Sequence, residues 1–394
     1  ELVAGGQARS LPGAPSGYRF LSLGLAALQG SRYRFLMRMD QDLPAEMQAW
    51  RVSEWGEEPA DTLALERIAV PAPEAGEVLV RVQVIPLNLN DLERVTGKNM
   101  MARPELPVTP GMEVLGMVVG CGDGAEDWMG RRVVAMPKQA TGGYAEFAVC
   151  PIVSAFEMPE DIGLPEAGAL YFPYHLAWLG LVDRAALASG ETVLIHAGAG
   201  GSGSAAIQLA KSLGATVFAT AGSDRKVELC RGLGADVAIN YQTEDFQSVV
   251  LEATGMSGVD VVFDNVGEAV MEKSMNCIAY NGRYLMMGFA SDKSCADEKL
   301  IVPRRLATGN FKLCGVLMAY ADATTGSFLK QAMGWNFCPE ALGAKIMTEI
   351  IELLRAGKIR PVVGETNSFA EIPAALTRLR DRETTGRTLI TVDV

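Results

Sequence analysis

The sequence has few residues of the kinds that build metal or disulfide frameworks: two histidines and seven cysteines among 394 residues. No two cysteines stand at the spacing C-x-x-C, so a four-cysteine lobe for structural zinc is not expected. The odd number and irregular spacing of the cysteines also argue against a disulfide framework. The composition therefore predicts reduced, mostly buried thiols and a cytoplasmic location.

Basic residues are also scarce relative to acidic ones, with 35 Lys and Arg against 47 Asp and Glu and a net charge of −12. A nucleic-acid groove or an anionic membrane surface attracts proteins through a surplus of basic side chains. A short apolar run near the start, residues 21–28, is too short to cross a bilayer. Neither nucleic acid nor membrane is therefore an expected partner.

Changes of pattern along the chain predict where the domains lie. Residues 1–46 are expected to be an extension, either disordered or artefactual. Short strands between frequent glycine and proline turns predict a β-rich domain over residues 47–165. Strands and helices then alternate over residues 166–320, which predicts a parallel sheet with helices on both faces. Residues 321–394 end on two helices and a strand.

A glycine-rich turn follows an apolar strand at residues 192–196 and precedes a helix predicted over residues 204–213. The turn fits the pattern G-x-G-x-x-G in the strand–turn–helix context that gives this pattern its meaning. Its glycines allow a tight turn, the approach of backbone to a pyrophosphate, and close packing of helix on strand. The free N–H groups of the helix then face the phosphates. The predicted ligand is a dinucleotide, held by Gly198, Gly200, Gly201 and Gly203.

The residues after the second strand of this unit indicate which dinucleotide is bound. NAD sites usually carry an acidic residue at the end of that strand, but here the strand runs into Ser223 without one. Asp224 follows directly and keeps NAD open as an alternative. Arg225 and Lys226 come next, and with the Ser223 hydroxyl they offer the donors that a 2′-phosphate needs. The sequence therefore predicts NADPH as the cofactor.

Several runs in this half of the chain together resemble the zinc-independent quinone oxidoreductases of the medium-chain dehydrogenase/reductase superfamily. The runs are residues 196–203, 214–217, 219–223, 234–236, 239–241 and 260–267. The resemblance extends over about residues 47–394. It implies an α/β fold in which a GroES-like, β-rich catalytic domain is interrupted in sequence by a Rossmann domain, and it implies a homodimer. By analogy, a strand at residues 311–317 would pair across that dimer.

The resemblance also assigns side chains to the cofactor site. Carried over by position, Lys226 and Tyr241 match the residues that hold the adenosine 2′-phosphate and the adenine. Arg382 matches another residue that lines the cofactor cleft. Three residues follow strands of the parallel sheet and are expected at the rim near the nicotinamide, because open sheets bind ligands at the carboxyl ends of their strands: Asn265, Gly288 and Phe289.

Related dehydrogenases bind a catalytic zinc through cysteine and histidine ligands. Asn88 stands where the first cysteine would fall and Met112 where the histidine would fall, so no metal is expected. Asn88 is the candidate catalytic residue: its amide would hydrogen-bond a substrate carbonyl or orient the nicotinamide ribose, unless it only caps a turn. Glu93 stands where several family members carry a tyrosine as proposed proton donor, so the acid is not identified.

Hydride transfer without a metal suits acceptors that need no strong Lewis acid. The predicted function is a zinc-free, NADPH-dependent reductase of a quinone or a similarly activated carbonyl or alkene. One alternative keeps the fold and the cofactor but reduces a 2-enoyl thioester or an enone. Another, of a different class, is a low-turnover NADPH-binding sensor or structural protein.

Overall fold

The structure is a computed structural model that describes residues 38–39, 43–98, 103–287 and 303–393. Eighteen strands belong to the described chain, numbered in chain order. They are β1 (Arg38–Met39), β2 (Glu46–Val52), β3 (Leu63–Ala69), β4 (Glu77–Pro86), β5 (Val114–Cys121), β6 (Arg132–Ala135), β7 (Phe147–Pro151), β8 (Ala155–Glu157), β9 (Thr192–Ile195), β10 (Thr216–Ala221), β11 (Val237–Asn240), β12 (Val259–Asp264), β13 (Ile278–Met286), β14 (Lys312–Gly315), β15 (Tyr320–Ala321), β16 (Cys338–Pro339), β17 (Val363–Ser368) and β18 (Arg387–Thr391).

Twelve α-helices connect or cover these strands in the described part of the chain. They are α1 (Pro59–Thr62), α2 (Glu93–Thr96), α3 (Leu164–Gly168), α4 (Tyr171–Trp178), α5 (Gly201–Ser212), α6 (Asp224–Gly232), α7 (Phe246–Ala253), α8 (Glu268–Asn276), α9 (Pro303–Gly309), α10 (Ala323–Met333), α11 (Glu340–Arg355) and α12 (Ile372–Arg380). None of the helices in the described ranges is long and apolar enough to cross a membrane.

The catalytic sheet has the strand order β17-β18-β4-β5-β6-β8, with β7 also paired to β4 and β1 to β5. Strand β4 lies at its centre, and most of its residues are buried, because valine and isoleucine side chains pack on both faces. Strands β17 and β18 come from the last part of the chain and complete this sheet beside β4. The β-rich domain is therefore interrupted in sequence, as predicted. Arg38–Met39, from the segment assigned to the extension, pairs with Gly120 and Cys121 of β5.

The second sheet has the order β11-β10-β9-β12-β13-β14, and every pair in it is parallel. Its central strand β9 is apolar and largely buried, as expected for a strand with helices on both faces. The chain leaves β9 towards β10 on one side and later returns to β12 on the other. In open α/β sheets the ligand crevice lies at such a reversal of strand order, which here falls at the carboxyl ends of β9 and β12. The domain boundaries themselves stay a prediction.

Asp91 anchors the loop that follows β4, although its side chain is fully buried. Its two carboxylate oxygens accept hydrogen bonds from the backbone N–H groups of Asn88, at 2.9 Å, and Met112, at 3.0 Å. The hydroxyl of Tyr144 donates a third hydrogen bond, also at 3.0 Å. Burial outweighs these donors and the nearby charge of Arg94, and it raises the pKa of Asp91 to about 6.

We predict a pH-dependent stability that belongs to Asp91. Because the folded protein holds this proton more tightly than the unfolded chain, the stabilisation is complete below the unfolded pKa of 3.8 and is lost as the pH rises through about 6. The difference corresponds to about 3 kcal/mol of unfolding free energy. Denaturant unfolding of wild type and Asp91→Asn between pH 3.8 and about 6 measures this contribution. The free energy of unfolding of wild type, relative to that of Asp91→Asn, should fall as the pH rises.

Tyr144→Phe is the control for this prediction. It removes one of the donors that lower the pKa of Asp91, so the loss of stability should extend to higher pH than in wild type. A difference between wild type and Asp91→Asn that stays constant with pH would show that Asp91 does not titrate in the folded protein.

Candidate active site

The glycine turn lies between β9 and α5, at the crevice, and its glycines differ in what surrounds them. A side chain on residue 203 would overlap the carbonyl of Ala197, and a Cβ on residue 198 would lie 2.9 Å from the sulfur of Cys230. Gly200 differs, because the nearest atom to a Cβ there is the Ala197 oxygen at 3.4 Å. Backbone contact therefore requires glycine at 203, side-chain packing disfavours a larger residue at 198, and Gly200 leaves open space beside the turn.

The start of α5 can hold an anion. The first N–H groups of an α-helix have no partner within the helix, and they carry the positive end of its dipole. The turn in front of them is held from two sides. Gly200 donates its N–H to the carbonyl of Ala197 at 3.0 Å, and Gly386, just before β18, donates to the carbonyl of Ala199 at 2.7 Å. The turn is therefore fixed before any ligand arrives.

Two buried donors near the crevice have no hydrogen-bond partner in the described structure: Nδ2 of Asn265 and Nε of Arg387. Asn265 follows the carboxyl end of β12. The side chain of Arg387 runs along Gly201, where an added Cβ would lie 2.9 Å from its Cδ. Buried polar atoms are normally satisfied, so such donors point to a polar ligand. Together with the open space at Gly200, they fit a dinucleotide.

Basic groups gather at the far end of the crevice, around the start of α6. Nζ of Lys226 donates to the carbonyl of Arg382 at 2.6 Å. Partial burial, reinforced by the charges of Arg225 and Arg382, lowers the pKa of Lys226. The hydroxyl of Ser223 accepts the N–H of Lys226, which leaves its own hydrogen free to donate. Four residues predicted for this site thus lie close together and carry excess positive charge: Ser223, Arg225, Lys226 and Arg382.

Asp224 and Tyr241 complete this end of the crevice. The carboxylate of Asp224 accepts a hydrogen bond from Nδ2 of Asn240 at 2.8 Å, which ties it to the end of β11. Tyr241 is 41% exposed, and its hydroxyl lies where a side chain on Gly222 would be. The aromatic ring is therefore available to an adenine, while one of the two oxygens of Asp224 is hydrogen-bonded to Asn240.

Asn88 lies beside the glycine turn, and its side chain is almost completely buried. Its Nδ2 donates to the carbonyl of Pro86 and to Oε2 of Glu113, each at 3.1 Å. Its Oδ1 accepts from a terminal nitrogen of Arg387 at 2.8 Å. Both amide hydrogens are used, and Asn88 also forms a capping box with Asp91 at the start of the short helical turn Leu89–Leu92, so towards a ligand the side chain can act only as an acceptor, through Oδ1. This geometry favours accepting a hydrogen bond from a ribose hydroxyl over donating one to a substrate carbonyl.

Glu113 and Arg387 were not predicted as site residues. Glu113 is fully buried and directly follows Met112, and Arg387 is 6% exposed at the start of β18. The sequence carries no specific signal for them, because charged residues also head strands at exposed positions, as Glu46 does on β2 and Lys312 on β14. Gly288 and Phe289, which were predicted at the rim, lie outside the described residues.

The residues at the expected zinc position do not fit a catalytic zinc. Asn88 and Met112 offer neither thiolate nor imidazole, and the amide of Asn88 is already hydrogen-bonded at both atoms. His196 bonds Thr220 and Ser274 through its two ring nitrogens, and His175 bonds Tyr320. Within the described ranges, no group of three or more His, Cys, Asp or Glu could hold a metal ion.

Comparison with known proteins shows the family to which the chain belongs. Residues 74–160 match the alcohol dehydrogenase GroES-like domain family, and residues 201–335 match the family described as zinc-binding dehydrogenase. Quinone oxidoreductase-like protein 2 of Bos taurus is 30% identical over 332 residues, which cover 84% of this chain and 89% of that protein.

Two solved structures share the fold. Mycobacterial Rv1454c, in complex with NADPH, has a TM-score of 0.75 and 28% identity, with 88% of this chain and 99% of that chain covered. The quinone oxidoreductase of Pseudomonas syringae has a TM-score of 0.74 and 27% identity, with 88% and 99% covered.

Fold and site define a two-domain oxidoreductase that uses a nicotinamide cofactor. The chain belongs to the medium-chain dehydrogenase/reductase family, among the quinone oxidoreductase-like proteins. The predicted fold class is thereby confirmed.

We predict opposite effects for two alanine substitutions in the glycine turn. Gly200→Ala fits the extended backbone and the open space, so the melting temperature should change little. NADPH affinity should fall by roughly tenfold or more, because the methyl group fills the space that a pyrophosphate needs. Gly203→Ala should destabilise the fold itself, since its Cβ meets backbone. Calorimetric titration measures the NADPH affinity and thermal unfolding measures the stability of each variant. An undiminished affinity in Gly200→Ala would contradict the assignment of the pyrophosphate site to this turn.

Proposed function

We propose that the protein is a zinc-independent NADPH:quinone reductase. The observation that carries the proposal is Asn88, an amide held by Arg387 and Glu113 beside the glycine turn, where related enzymes place a metal ligand. The excess positive charge around Lys226 supports NADPH over NADH. Similarity to quinone oxidoreductases supports a quinone as acceptor.

The side chains divide the work by position. The start of α5 binds the pyrophosphate, and Lys226 with Arg225 and Arg382 binds the 2′-phosphate. Asn88 accepts a hydrogen bond from the nicotinamide ribose and so helps to orient the ring. When bound, NADPH supplies the hydride. A quinone suits this site, because its reduced anion takes a proton from water and needs no tyrosine where Glu93 stands.

We further propose a cytoplasmic homodimer that pairs through β14. Of the described strands, only β13 pairs with β14, so the outer edge of β14 is open. Leu313 and Leu317 on and beside this edge are 37% and 40% exposed. An open strand edge flanked by apolar side chains favours pairing with a second copy. The cytoplasmic location is supported by the six described cysteines, all of which are free thiols.

We predict that Lys226→Met changes cofactor preference rather than activity in general. The value of kcat/KM should fall roughly 10- to 100-fold with NADPH and stay nearly constant with NADH, because only NADPH carries the 2′-phosphate. Lys358→Met, at an exposed lysine away from the crevice, is the matched control and should affect neither cofactor. An equal loss with both cofactors would contradict the assignment of Lys226.

The acceptor is tested by following NADPH oxidation with benzoquinone, phenanthrenequinone and crotonyl-CoA, before and after exhaustive chelation. We expect rapid turnover of a quinone that chelation does not change. Activity with crotonyl-CoA alone would identify an enoyl thioester reductase. Loss of activity on chelation would overturn the zinc-independent mechanism. NADPH binding without turnover of any acceptor would favour a sensor or structural protein.

A further inference from the structure

We propose that Glu113 and Arg387 are positioning residues that hold the amide of Asn88 in one orientation, with Oδ1 available to the nicotinamide ribose. The proposal rests on the proposed function, since it concerns the same site. It goes further by assigning a role to two charged side chains that do not themselves contact the reacting atoms.

The three side chains form a closed ring of hydrogen bonds. Arg387 donates from one terminal nitrogen to Oδ1 of Asn88, at 2.8 Å, and from the other to Oε2 of Glu113. Asn88 closes the ring by donating from Nδ2 to the same Glu113 oxygen at 3.1 Å. All three are at most 6% exposed, so water does not compete for these contacts.

The ring determines which way the amide of Asn88 points. An arginine only donates and an ionised carboxylate only accepts. If the amide rotated by half a turn, Nδ2 would face the donors of Arg387. Oδ1 would then face Glu113 and the carbonyl of Pro86. Both sides of the flipped amide would be repulsive, so only the observed orientation is compatible with these partners.

Each member of the ring is fixed independently by its own strand. Asn88 follows β4, Glu113 precedes β5 and Arg387 begins β18, and these three strands are neighbours in the catalytic sheet. The other oxygen of Glu113 accepts the N–H of Phe172 at 3.2 Å. The side chain of Arg387 lies along Gly201. The ring therefore places Asn88 at a defined position relative to the glycine turn that holds the cofactor.

The expected consequence is that the affinity for NADPH and the alignment of its nicotinamide ring depend on different residues. Affinity depends mainly on the phosphates, which bind at α5 and around Lys226. Alignment of the nicotinamide depends on the Asn88 oxygen, and hydride transfer is sensitive to small misplacements. Loss of the hydrogen bonds among Asn88, Glu113 and Arg387 should therefore slow the reaction and loosen the nicotinamide, while NADPH still binds.

Glu113→Gln tests this directly, because the new amide nitrogen faces only donors and allows Asn88 to flip. Glu191→Gln is the matched control: Glu191 pairs with Arg283 at 2.6 and 2.8 Å, at the opposite end of β9. In Glu113→Gln we expect kcat to fall roughly tenfold or more and the NADPH dissociation constant to stay within about threefold. Time-resolved fluorescence anisotropy of bound NADPH should show a faster motion of the nicotinamide ring. The control should resemble wild type in all three.

Unchanged kcat and unchanged nicotinamide motion in folded Glu113→Gln would overturn the proposal. Changes of the same size in Glu191→Gln would also overturn it. If Glu113→Gln does not fold, Arg387→Lys decides by kcat and nicotinamide motion alone, since one ammonium cannot bridge both partners as a guanidinium does, whereas its affinity also changes through the Nε that faces the cofactor. If the wild-type protein does not oxidise NADPH with any of the acceptors tested, the proposed function fails. The anisotropy comparison then still decides whether Glu113 and Arg387 position the cofactor.

Discussion

The buried ion pair between Arg387 and Glu113 is the constraint on which the candidate site depends. A charge without a partner is very unfavourable in a protein interior, so these two residues must meet when the protein is folded. Their meeting brings β18 to the start of β5 and sets the loop that carries Asn88 between them. Because Arg387 also lies along Gly201, the same pair relates the catalytic sheet to the glycine turn of the other domain.

Local pattern was sufficient to predict the glycine turn between β9 and α5. Gly203 is recognisable from sequence because the close approach of helix to strand leaves no room for a side chain, and that requirement recurs wherever the same turn is used. The helix after the turn begins earlier than predicted, at Gly201 rather than residue 204, because small residues at a helix start give no periodic signal. The strand predicted at residues 311–317 is shorter, spanning Lys312–Gly315.

Long-range pairing could not be predicted in the same way. Asn88 was found through family resemblance, but its partners Glu113 and Arg387 are 25 and 299 residues away along the chain. Nothing in the local sequence around any of the three specifies the others. The burial of Asp91 is a similar case, because its donors come from Met112 and Tyr144 as well as from its own turn. Such contacts follow from the sheet order, which sequence patterns alone do not determine.

The return of β18 to the side of β4 also constrains the order in which the protein is assembled. Strand β4 is synthesised about three hundred residues before its partner Leu389–Thr391. Throughout that interval the edge of β4 that β18 will occupy is exposed on the nascent chain, while the parallel sheet, built from consecutive segments, can already form. The cofactor-binding half is thus expected to be in place first. The candidate site is then closed by a strand that follows the whole parallel sheet along the chain, so a chain that stops before β18 lacks Arg387 and the closed site.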